Sequence, residues 1–275
     1  MKKTIFPISK STLLAIAFFG LMTLAASATA QNDTVNPLVA TTGPNVLGEG
    51  HIQWNNSLEY HHYGHNWGPT DFNSHSFGLT TGFRFGIGNR AELTLDLAGA
   101  YNTFDTVNFH STTGFTPAVG AKLLLFDGKD WVPQIAFFTH VASPVMQNAY
   151  NDRWTAFVQP EIGFEFRNPL GKQFLLDYSL GYSWDRNPVE DFSDFVNHVQ
   201  YSLYLRHIHS DGHMVSLGIS NRNSTHTPTM DFDYLYQLNK NLQLNIRCSF
   251  AGGVHKEGGI IDRIHGLVGL NWMLK

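Results

Sequence analysis

Two groups of histidines are the first residues whose types suggest chemistry. His61, His62 and His65 lie together, and His207, His209 and His213 form a second group. Imidazoles bind zinc or copper when they converge with carboxylates or thiolates. Neither group has a well-spaced carboxylate or thiolate beside it, so no metal site is expected. Ser74-His75-Ser76 and Arg206-His207-Ile208-His209-Ser210 place hydroxyls near imidazoles, the pairing that activates a serine nucleophile. Neither has the His-x-Ser spacing, and the chain carries no other motif that would hold a cofactor.

The charged residues have a more regular placement. Arg84, Lys122, Arg206, Arg247 and Arg263, with Glu59, Glu92, Asp96, Glu161, Glu165, Asp177, Asp231 and Asp233, interrupt otherwise apolar segments at alternate positions. A strand whose two faces meet different solvents produces that pattern, because successive side chains point to opposite faces. Twelve such segments follow one another from about Gly50 to Leu274. The clearest sets Phe174, Leu176, Tyr178, Leu180, Tyr182 and Trp184 against Gln173, Asp177, Ser179 and Ser183. In the fifth, from Trp131 to Val141, Phe138 falls in step with Gln134 and His140, so its facing is left open.

The connections alternate as well. Those after the second, fourth, sixth, eighth and tenth segments are tight, as at Gly88-Asn89, Asp127-Gly128 and Ser210-Asp211-Gly212. The others are longer and polar, as at Tyr63 to His75, Asn102 to Thr113 and Asp185 to Asp194. An antiparallel transmembrane β-barrel of about 12 strands, with short periplasmic turns and longer extracellular loops, accounts for both regularities. A soluble sandwich shares the alternation, but it does not require aromatic residues at both ends of the segments. Trp54, Trp131 and Trp272 near one end and Tyr60, Tyr101, Tyr182 and Trp184 near the other match interfacial girdles.

The start of the chain is consistent with export. Lys2, Lys3 and Lys10 precede an apolar run from Leu13 to Leu24, then Ala28-Thr29-Ala30. Residues 1–30 are expected to be a signal peptide cleaved before Gln31, 31–48 a periplasmic leader and 49–275 the barrel. The apolar run is too short to span a bilayer, which takes about 20 residues. Three of the 18 basic residues and none of the 22 acidic ones fall in the first thirty, leaving 15 against 22 and a net charge of −7. That balance argues against a nucleic-acid binder. Cys248 is the single cysteine and cannot form an internal disulfide.

The stretch Thr41-Thr42-Gly43-Pro44-Asn45-Val46-Leu47-Gly48-Glu49-Gly50-His51-Ile52-Gln53-Trp54 resembles the start of barrels in the phenol-degradation meta-pathway (MetA-type) family. Thr80 to Leu93, with its Arg84, Gly86, Gly88 and Glu92, is similar to that family's arginine-glycine hairpin. Ala142-Ser143-Pro144 and the segment Tyr236 to Leu244 resemble it too, although Trp54 stands where many relatives carry an acid. The resemblance implies an outer-membrane transporter for aromatic or other small solutes, with no catalytic motif to carry over. His265 to Leu274 resembles the C-terminal signal read by the outer-membrane assembly machinery, apart from the terminal Lys275.

The expected partners are therefore membrane lipids, the assembly machinery and a small-molecule solute, with no oligomeric state assigned. The charged residues named above are the lumen-lining candidates. Their bland role is to brace the wall in ion pairs, since an unpaired charge in a narrow interior is costly; their functional role is a polar constriction that selects solutes. The leader or the long loops could stopper the lumen. The alternatives are a structural or adhesive barrel and an outer-membrane lipid hydrolase.

Overall fold

In the computed structural model, the structure describes residues 43–67, 70–105, 110–129, 131–147, 153–186, 195–209, 212–221, 228–254 and 260–274. They belong to one compact unit. The elements are β1 (Ile52–Trp67), β2 (Thr70–Gly86), β3 (Ala91–Phe104), β4 (Thr112–Lys129), β5 (Val132–Ala142), β6 (Val145–Gln147), β7 (Trp154–Ala156), β8 (Gln159–Pro169), β9 (Phe174–Arg186), β10 (Phe195–Ile208), β11 (His213–Asn221), β12 (Thr229–Asn239), β13 (Leu242–Val254) and β14 (Ile260–Met273). Strands β6 and β7 form a small hairpin in the connection after β5 and add onto β4. The remaining twelve pair antiparallel in one ring, closed where β1 meets β14 from Gln53↔Met273 to Asn66↔Ile260.

Closure follows from where the chain must live. Lipid tails accept no hydrogen bonds, so each strand must have a neighbour on both sides. The side-chain distribution is inverted relative to a water-soluble protein. Leu58, Leu79, Leu180 and Leu217 are exposed on the outer surface, Leu58 to 66%, whereas Arg206 is fully buried and Glu92 is 2% exposed. That inversion excludes the soluble sandwich, whose leucines would fill a shared core. Trp54 stacks between Phe83 and Trp272 at ring separations of 6.2 and 6.4 Å. With Trp131, 85% exposed beside the turn into β5, these rings sit at the tight-turn rim.

All twelve expected spanning segments are present, with one connection corrected. The stretch Tyr63 to His75 is not a long loop, because β1 and β2 keep pairing through Tyr63↔Ser74 and Gly64↔Asn73 to Trp67↔Thr70. Only residues 68 and 69 lie between the two strands. Alternating Asn, His and Ser read as loop composition there, yet the same residues suit a strand that projects beyond the apolar band into water. The turns at Gly88 (φ 79°) and Gly212 (φ 77°) take the left-handed conformation that glycine adopts without strain.

The ambiguous fifth strand faces inward at Gln134, Ala136, Phe138 and His140. Ala136 is fully buried, and Phe138 lies over two glycines of neighbouring strands. A Cβ placed on Gly163 would stand 2.8 Å from the Phe138 Cε1 and one on Gly181 would stand 3.3 Å from its Cζ. An inward aromatic ring thus occupies space that two missing side chains leave. Replacing Gly163 with Val should destabilise the barrel by about 1–3 kcal/mol through overpacking, read as a lower urea midpoint for the folded, heat-modifiable band. Adding Phe138→Ala should recover only part of the loss, because the same Cβ also meets the Leu180 carbonyl oxygen at 2.6 Å.

Candidate functional site: the polar lumen and the segment seated in it

Side chains that alternate with the lipid-facing row converge inside the ring, where the geometry pairs acids with bases. At the tight-turn end, Arg84 from β2 meets Glu92 from β3, with Nη2 2.6 Å from Oε2, and its Nη1 donates to Gln53 Oε1 at 3.2 Å. These residues lie one above another because Arg84 pairs with Gln53 on one side and Thr94 on the other. Next around the wall, Lys122 Nζ lies 2.7 Å from Glu165 Oε2.

Asp177 takes two cations. Arg167 grips it in bidentate fashion, with both contacts at 2.6 Å, and Arg206 Nε lies 2.6 Å from the same carboxylate. The Arg206 Nη1 donates to Ser216 Oγ at 3.1 Å, and its guanidinium stands 5.2 Å from the Tyr204 ring centroid. Tyr204 donates to Asp231 Oδ2 at 2.7 Å, and Arg247 Nε donates to Asp233 Oδ1 at 2.5 Å. Fixed pairing of this kind offsets the desolvation cost that a lone buried charge would carry uncompensated.

The remaining candidates lie on the same inward rows. Asp96 projects over Gly82, where a Cβ would come within 1.9 Å of its Oδ1. Glu161 is opposite His140 in the β5–β8 register. The Arg263 guanidinium stands 4.8 Å from the Tyr63 ring centroid. Glu59 Oε1 accepts hydrogen bonds from Ser57 Oγ at 3.0 Å and Thr80 Oγ1 at 3.1 Å.

Reading the sequence alone missed Arg167. The sixth segment was ended at Phe166, whereas β8 continues to Pro169, so the alternation Glu161, Glu165 carries one step further to Arg167. Extending the period by two residues was the available signal. It also missed a buried contact inside the lumen, where Ser183 Oγ lies 3.0 Å from His198 Nδ1 and 3.1 Å from His198 Nε2. Near-equal distances to both ring nitrogens put the hydroxyl beside the edge between them, not along either lone pair. The Ser–His stretches noted above have other engagements. His75 Nδ1 is hydrogen-bonded to the Tyr60 hydroxyl at 2.9 Å, and the His207 ring lies against Phe174 at 4.7 Å, tilted by 38°; Ser210 and the His65 side chain lie outside the described residues.

The segment before β1 occupies the tight-turn end of the lumen. Pro44 and Leu47 are fully buried. The Leu47 amide donates to Glu92 Oε2 at 2.9 Å, and Lys122 Nζ donates to the Gly43 carbonyl at 2.8 Å. The wall is cut to receive this segment. A Cβ on Gly86 would fall 1.9 Å from the Gly48 carbonyl oxygen, and one on Gly43 would fall 2.7 Å from Arg167 Nη2 and 2.9 Å from Asp177 Oδ2. Ion-paired residues of the wall therefore also hold a length of backbone across the lumen.

This architecture recurs among solved structures. An outer membrane channel from Pseudomonas putida F1 superposes with a TM-score of 0.63 at 12% identity, over 86% of this chain and 100% of that one. The chain has the fold of an outer-membrane β-barrel. The translocator domain of the autotransporter NalP from Neisseria meningitidis gives 0.53 at 13% identity, over 96% and 98%. A TodX deletion mutant, a monoaromatic hydrocarbon channel, gives 0.50 at 7%, over 89% and 96%. No protein-family model and no curated protein matches the chain.

Asp177→Asn leaves two buried guanidiniums with less charge to face and should cost about 3–5 kcal/mol, the usual penalty for breaking a buried pair. Urea unfolding of the barrel in detergent checks it, with Arg90→Ala as a rim control. Arg90 pairs with Asp127 on an exposed turn, and its loss should change stability by less than about 1 kcal/mol.

Proposed function

We propose that this chain is an outer-membrane channel for passive passage of small solutes, aromatic compounds among them, and that residues 43–48 control its periplasmic exit. The observation that carries this reading is the seating of Pro44 and Leu47 inside a charged lumen, with polar ties to the segment's backbone from Glu92 and Lys122. A purely structural barrel has no need of a shaped cradle for a strand-free segment. A channel that must stay sealed until solute arrives does. Twelve strands give an interior between the filled small barrels and the wide porins, a width that one segment can close.

The fold shared with an outer membrane channel and with a monoaromatic hydrocarbon channel supports the solute class, as does the motif resemblance to the meta-pathway family. On this reading residues 1–30 are the export signal, the assembly machinery inserts the chain, and the lumen residues serve positioning and selection rather than catalysis.

Single-channel recording in planar bilayers tests the proposal, with liposome uptake of aromatic acids compared with sugars. Wild type should show small, infrequent openings. Lys122→Met and Leu47→Ser, which loosen the seated segment, should each raise open probability several-fold without changing the unit conductance of the fully open state. Neither current nor uptake from wild type and both variants would overturn the channel reading in favour of a structural barrel.

A further inference from the structure

The seam that closes the ring also brings together three side chains that no contiguous stretch of sequence contains. His61 on β1 and His265 on β14 are direct cross-strand partners, and Glu59 lies two residues from His61, on the same inward row. Glu59 Oε2 is 3.4 Å from His61 Nε2 and 3.7 Å from His265 Nε2, and all three atoms lie within 4.8 Å of one another. The two imidazoles stack with ring centroids 4.0 Å apart and 6° between their planes, so the half-exposed His61 ring must turn about its side-chain bonds for both Nε2 atoms to bind one ion in plane.

We propose that Glu59, His61 and His265 form a divalent transition-metal site of the zinc class on the lumen side of the β1–β14 seam. Four features of the cluster support it. The Glu59 Oε1 is taken by Ser57 and Thr80, which fixes the carboxylate and leaves Oε2 turned toward both rings. The His265 Nε2 is buried, faces Glu59 Oε2 at 3.7 Å and has no partner within hydrogen-bond distance. The donor set of two imidazole nitrogens and one carboxylate oxygen suits zinc, nickel, cobalt or copper, not calcium or magnesium, which prefer all-oxygen shells. Metal–ligand bonds of about 2.0–2.1 Å in a tetrahedron set neighbouring ligand atoms roughly 3.3 Å apart, close to the separations from Glu59 to each ring.

His61 is half exposed to the lumen, which gives an ion a route in. Arg247, the nearest strong cation on β13, is already matched by Asp233. Three protein ligands leave a coordination position open toward the lumen, available to water or to an oxygen donor on a passing solute. Because its ligands come from the first and last strands of the ring, the ion would also staple the closing seam. The site is independent of the transport reading and stands on the seam geometry alone.

The test is calorimetric titration of Zn²⁺ into the untagged, full barrel in detergent, supported by the visible absorption of Co²⁺ in place of zinc. The expected result is one equivalent bound, with a tetrahedral-type cobalt spectrum. Affinity should fall by at least about tenfold in Glu59→Gln and in His61→Ala, and should be unchanged in His213→Gln at the other rim. The folded, heat-modifiable band confirms that each variant retains its barrel, and His61→Ala, at a half-exposed position, is the variant least able to disturb folding. No heat at one equivalent, or binding that is equal in wild type, Glu59→Gln and His61→Ala, overturns the proposal. So does loss of binding in His213→Gln alone.

Discussion

Hydrocarbon offers a backbone amide nothing to bond, and the rest of this structure follows from that constraint. Every spanning strand needs two neighbours, so the first must find the last. The β1–β14 pairing meets that demand over fourteen registered residue pairs, from Gln53↔Met273 to Asn66↔Ile260. Once the ring is closed, alternate side chains have only two environments. Leucine and phenylalanine go to lipid, and charge goes inward, where it must be neutralised within a small volume.

The lumen meets that second requirement by pairing across strands rather than along them. Arg84 with Glu92, Lys122 with Glu165, Arg167 and Arg206 with Asp177, and Arg247 with Asp233 each join different strands. The residues that brace the wall are also the ones that grip the segment before β1, since Glu92 and Lys122 each spare a bond for its backbone. Bracing of the wall and seating of the segment therefore draw on the same atoms. Lys122 carries both roles, so replacing it frees the Gly43 carbonyl and also leaves the buried Glu165 without its cation, whereas replacing Leu47 disturbs no ion pair.

Period-two alternation and turn chemistry made the twelve spanning strands legible, and with them the inward rows that carry Arg84, Glu92, Lys122 and Asp177. They did so because membrane strands obey one local rule over their whole length. What escaped was non-local or ran past the apolar band. The extension of β1 and β2 through Trp67↔Thr70 reads as loop composition because the stretch is rich in Asn, His and Ser rather than alternating with apolar residues. Phe138 broke the alternation because glycines on β8 and β9 made room for its ring, a compensation visible only once the register is known. Arg167 was lost to a strand end set three residues early. The seating of Leu47 and the meeting of His61 with His265 depend on contacts between distant parts of the chain, which no spacing within one segment encodes.

The segment before β1 is held inside the lumen by the wall's own charges. Amide hydrogen exchange at Leu47, measured on the barrel in detergent, tests it most directly. Exchange is expected to be slow and to accelerate by orders of magnitude in Lys122→Met, because the amide is buried against Glu92 and is released only when the segment leaves its seat. Exchange at the rate of an unprotected peptide in the wild-type protein would contradict it.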